Sequence, residues 1–111
     1  VFPSIYPEAF GIVAAEYMAT GLVTISSGVG GAAELINDGQ NGCLYDPDGE
    51  NNGTESLIKA TKKLLGDKQD RQIMRNAARI EAEHWGWPSA TKQLKEFYRE
   101  ILNKQTKSIA A

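Results

Sequence analysis

The chain has 111 residues, 41% of them hydrophobic and 23% charged, which suits one small domain with an apolar core. A formal net charge of −2, with no Lys/Arg cluster longer than two, leaves no electrostatic footprint for nucleic acid. The single Cys43 excludes an internal disulfide framework, the single His84 excludes a multi-histidine metal site, and no apolar stretch nears the roughly 20 residues that span a bilayer.

In chain order, Val1 and Phe2 read as the end of an apolar strand over residues 1–3, so the chain opens on Val already inside an element, as a cut would leave it. A loop with Pro3, Ser4 and Pro7 follows, then a helix over residues 11–20 that Gly21 stops. Val23, Thr24, Ile25 and Ser26 are short and largely β-branched, the pattern of a buried strand. A Gly-rich loop over residues 27–31 leads to a short helix over 32–37. A third strand over 42–45 closes at Asp46-Pro47-Asp48-Gly49. Strands separated by helices imply parallel pairing through right-handed crossovers.

Beyond residue 54 the chain turns charged and helix-periodic. Leu57, Ile58, Thr61, Leu64 and Leu65 share one face of a helix over 54–65, and Ile73, Ala77, Ile80 and His84 one face over 67–84. A last helix over 88–103 carries Leu94, Phe97, Tyr98, Ile101 and Leu102, and the tail beyond it is expected to fray. The fold class is therefore α/β: a partial, Rossmann-like doubly wound parallel sheet over residues 1–46, followed by C-terminal helices over 54–103. Three short parallel strands leave an open sheet edge, which another chain could pair with.

The run PEAFGIVAAEYMATG (residues 7–21) holds the chemistry. A lone carboxylate, Glu16, in so apolar a helix implies a ligand or a buried hydrogen-bond partner, because an unpaired buried charge is costly. Glu8 lies eight residues earlier, just before the helix, and Glu16 about 8 Å along its axis at 1.5 Å per residue. Backbone N–H groups at a helix N-terminus attract anions, Gly11 lets backbone come close, and carboxylates accept from vicinal hydroxyls. A diphosphate between two sugars satisfies all three elements. The loop Gly28-Val29-Gly30-Gly31 offers a second helix-start anion site.

The string PSIYPEAFGIVAAEYMATGL followed by SSGVGGAAELINDGQNGCLY resembles the retaining family 4 glycosyltransferases of GT-B fold. The likeness rests on the two glutamates with Phe10-Gly11 after the first, on Gly30, Gly31 and Glu34, on Asp38, Gly39 and Gly42, and on Trp87, Leu94 and Tyr98. It covers most of the chain. The resemblance implies that Glu8 occupies the catalytic position against hydroxyls of the donor sugar. The amides around Ala9, Phe10, Gly11, Ile12 and Val13 would meet the sugar and phosphates, and Glu16 would hold the ribose. It implies a nucleotide-sugar donor, a sugar or lipid-linked acceptor, no cofactor, no obligatory metal, and a cytoplasmic or membrane-peripheral protein.

The family also uses an Arg and a Lys earlier in the same domain to neutralise the leaving diphosphate, and an N-terminal domain for the acceptor. Neither precedes Val1, so this chain is expected to be a donor-site fragment with little activity alone. The alternatives are a non-catalytic nucleotide-sugar-binding or assembly module of the same fold, or another GT-B enzyme such as an epimerase. The remaining features have structural readings. Glu34 supports its short helix, His84 is a core or interface imidazole, and Cys43 is a small buried hydrophobe. Trp85 and Trp87 are packing anchors, and Lys92, Lys95, Glu96, Arg99 and Glu100 form a solvated face.

Overall fold

The computed structural model describes residues 1–109. Its elements run α1 (Ile12–Ala19), β1 (Thr24–Ser26), α2 (Ala32–Leu35), β2 (Gly42–Leu44), α3 (Thr54–Gly66), α4 (Lys68–Glu83) and α5 (Trp87–Ile109). β1 and β2 pair in parallel, Ile25 opposite Cys43, through a crossover that contains α2. The expected first strand is reduced to one parallel bridge between Phe2 and Ser26, closed by the Phe2 N–H to the Ile25 carbonyl at 2.7 Å. The sheet thus keeps the parallel, doubly wound character expected, with two strands and a bridged extension.

Each face of this sheet has its own core. On one side Ala14 and Met18 of α1 meet Leu35, Ile36 and Ala78, with Phe10 and Trp85 packed against them. On the other, Ile25, Cys43 and Tyr45 meet Ala60 of α3 and Met74 of α4. Helix α4 serves both cores because Met74 and Ala78 stand one turn apart on the same stripe.

Local chemistry explains the element ends. Gly21 adopts φ +72°, and the Gly21 and Leu22 N–H groups donate to the Met18 and Tyr17 carbonyls at 2.9 Å each. This paired closure needs a left-handed residue, so Gly21 ends α1 as the sequence implies. Helix α2 stops two residues early because the buried Asn41 side chain takes over. Its Oδ1 accepts from the Asn37 N–H at 2.7 Å, and its Nδ2 donates to the Leu35 carbonyl at 3.1 Å. Asp67 caps α4, its Oδ1 accepting from the Gln69 and Asp70 N–H groups at 2.6 and 3.1 Å.

Several expected faces are displaced. In α4 the buried residues are Met74 and Ala78, while Ile73 is 59% and Ile80 62% exposed. Exposed His84 terminates this helix, which leaves the interface alternative and removes the core one from the two readings of its imidazole. In α3 the expected face is kept in part: Leu57 and Leu64 pack against the core beside buried Ala60, while Ile58 and Leu65 turn outward. Helix α5 continues six residues past the expected end, to Ile109. Its stripe of Leu94, Phe97, Tyr98 and Leu102 lies exposed, as does Trp87, which is therefore no packing anchor among the described residues. The projecting helix stretches the chain to 62 × 29 × 18 Å.

Candidate functional site

A cleft of about 390 Å³ opens at the start of α1, lined by Glu8, Ala9, Phe10, Gly11, Ile12 and Val13. These are the residues that the resemblance implies for the donor sugar and phosphates. The structure brings them together because Gly11, at φ +79°, turns the incoming chain sharply onto the helix axis. A side chain there would be strained by the positive φ, which makes Gly11 a conformational requirement.

The amide pattern at this turn bears on what the cleft can hold. The Ala14 and Ala15 N–H groups both donate to the Gly11 carbonyl, at 2.9 and 3.3 Å. No side chain caps the helix, and the Ile12 and Val13 N–H groups find no acceptor among the described residues. Unpaired amides at the positive end of a helix dipole favour an anion. Phe10 plays a double part. Its backbone lines the cleft, while its ring packs 5.4 Å from that of Trp85, whose indole N–H donates to Glu81 at 3.1 Å.

Glu16 does not line the cleft, and it is not a buried charge. Helix α1 turns Ala14 and Met18 inward, which places Ile12, Val13 and Glu16 on the open side, with Ile12 64% exposed. Glu16 is therefore exposed where burial was expected: its carboxylate stands in solvent, one turn beyond the cleft. Glu8 is also exposed. Among the described residues neither carboxylate has a hydrogen-bond or ion-pair partner, so both are free to accept from a ligand.

At the Gly28 to Gly31 loop, where a second anion site was expected, the Gly28 and Val29 N–H groups are taken by the Ser26 and Ser27 hydroxyls at 3.2 and 3.3 Å. The Gly31 N–H is already spent on the Glu8 carbonyl at 2.8 Å, and α2 is only four residues long. Glu8 and Gly30 form a parallel bridge, and a Cβ at Gly31 would sit 2.4 Å from the Phe10 Cα. These glycines back the cleft and do not add a second one. Two-residue Gly signals are ambiguous in sequence, because close approach to a ligand and close approach to another strand need the same missing side chain.

Other supports were invisible in the sequence. The Ser27 hydroxyl donates to the Ser4 carbonyl, and the Tyr45 hydroxyl to that of Pro3 at 3.4 Å. At the far end of α1, the Arg75 Nε donates to the Gly21 carbonyl at 2.9 Å, and Arg79 to that of Ala19. Cys43 is 1% exposed. Burial pushes its thiol up, Asp38 adds to the shift and Lys63 opposes it, which favours the neutral thiol of a packing group.

Residues 1–81 match the family described as "Glycosyl transferases group 1". A D-inositol 3-phosphate glycosyltransferase of Paenarthrobacter aurescens is 34% identical over 103 residues, covering 93% of this chain and 24% of that relative. A sucrose synthase of Denitrovibrio acetiphilus is 33% identical over 100 residues, covering 89% of this chain and 13% of that relative. Among solved structures, a sucrose-phosphate synthase from Thermosynechococcus elongatus superposes with a TM-score of 0.72 at 27% identity, covering 89% of this chain and 24% of the other. The chain spans a quarter or less of the length of these three proteins.

Proposed function

We infer the function from one premise: this chain belongs to the group 1 glycosyltransferases. On that premise we propose that it forms the donor half of a retaining enzyme that moves a sugar from a nucleotide-sugar to an acceptor hydroxyl. The diphosphate would meet the Ile12 and Val13 amides, Glu8 would grip hydroxyls of the transferred sugar, and Glu16 would hold the ribose. The amides suit the departing diphosphate, whose charge grows as the glycosidic bond breaks. The observation that supports this reading is the uncapped start of α1 opening into a cleft beside a free carboxylate.

The test is a titration of the protein with UDP-, GDP- and ADP-sugars, alongside Glu16→Ala and Glu8→Ala. Hydrogen bonds to charged groups contribute about 1.5–3 kcal/mol, so Glu16→Ala should weaken nucleotide binding by roughly 10- to 100-fold. Glu8→Ala should leave nucleoside diphosphate binding nearly intact and remove the preference for one sugar. Equal, negligible effects of both substitutions would refute the assignment.

A further inference from the structure

Residues 5–9, the stretch that carries Glu8, are all exposed, so no burial of their side chains fixes their path. The fixing comes from behind. Ser27 donates to the Ser4 carbonyl ahead of this stretch. Gly31 donates to the Glu8 carbonyl within it. A Cβ at Gly30 would lie 2.5 Å from the Glu8 carbonyl oxygen, and one at Gly31 2.4 Å from the Phe10 Cα and 2.6 Å from the Ala9 oxygen. Two backbones therefore touch directly, one donor fastening the chain just ahead of the exposed stretch and the other a point within it.

We propose that Gly31, Gly30 and Ser27 are positioning residues for the donor sugar. They never meet it, and they act by holding the backbone of residues 4–10 so that the Glu8 carboxylate keeps its place relative to the first amides of α1. This rests on the reading of the cleft as a donor site. A methyl at Gly31 would fall about 1 Å short of ordinary contact with Phe10. Displacements of that size cost on the order of 100-fold where reacting groups must be aligned. Loss of the Ser27 hydroxyl frees the Ser4 carbonyl, and with it the Val29 N–H that donates to the Ser27 Oγ at 3.3 Å, so both sides of the contact loosen without an added atom.

Two measurements test this on Gly31→Ala and Ser27→Ala. The first is amide exchange of the ligand-free chain by NMR. Ser27→Ala should speed exchange of the Gly31 amide, whose acceptor is Glu8, by roughly tenfold while the Ala14 and Ala15 amides keep their rates. The second compares binding of UDP with UDP-glucose, GDP with GDP-mannose and ADP with ADP-glucose. Both variants should lose about tenfold or more on the sugar nucleotide of the pair that wild type prefers, and less than about threefold on its diphosphate. An unchanged Gly31 exchange rate in Ser27→Ala, or parallel losses on both members of the pair, would overturn the proposal. Should Gly31→Ala fail to fold, Ser27→Ala decides. If wild type binds none of the pairs, the donor-site reading falls, and exchange alone still decides whether Ser27 holds the Glu8 stretch.

Discussion

Helices α1 and α5 bury their apolar residues very differently. α1 is eight residues of nearly unbroken apolar sequence, and it sinks Ala14 and Met18 completely against Leu35, Ile36 and Ala78. α5 is 23 residues with a well-formed apolar stripe, yet Leu94 is 51%, Phe97 57% and Leu102 61% exposed. The better amphipathic pattern therefore belongs to the helix with the less buried face. Periodicity reports that a helix has an apolar side, and the tertiary path decides whether anything lies against it.

The contrast can be challenged by substitution, and the largest effect belongs to the α1 side. Leu35→Ala opens a void in a fully buried site between α1 and α4, and should cost about 3 kcal/mol in urea unfolding. A loss below about 1 kcal/mol would mean that this core is loosely packed. Arg75→Ala removes the donor to the Gly21 carbonyl at the end of α1. Its guanidinium is exposed, so the expected loss is smaller, about 1 kcal/mol. Phe97→Ser should change stability by less than about 0.5 kcal/mol, because a half-exposed ring has little packing to lose. A loss comparable to that of Leu35→Ala would show that the α5 stripe is covered in solution, and would erase the distinction.

The two glutamates show how far the residue pattern reaches. Their spacing, with Phe10 and Gly11 after the first, singled out the segment that lines the cleft. The physical argument attached to Glu16 was nevertheless wrong, since an apolar helix need not be buried all round. α1 has its inward face filled by two small or flexible residues and leaves the other side open. In the same way, Gly30 and Gly31 read in the sequence as a loop at a helix start, and only the structure shows them as the wall behind Glu8. The arginines at 75 and 79 gave no signal at all, because their partners are carbonyls more than fifty residues away.

By itself the sequence determined what depends on near neighbours along the chain. It set the order of helices and strands, the stop at Gly21, and the grouping of residues 8–13 at one helix start. Those outcomes follow from local torsional preference and hydrogen bonding within a few residues. Only the tertiary structure decided which stripe of α4 faces inward, Met74 and Ala78 instead of Ile73 and Ile80. Both stripes satisfy the same 3.6-residue period, and the choice between them is made by where the crossover sets α1, β2 and α3 against that helix.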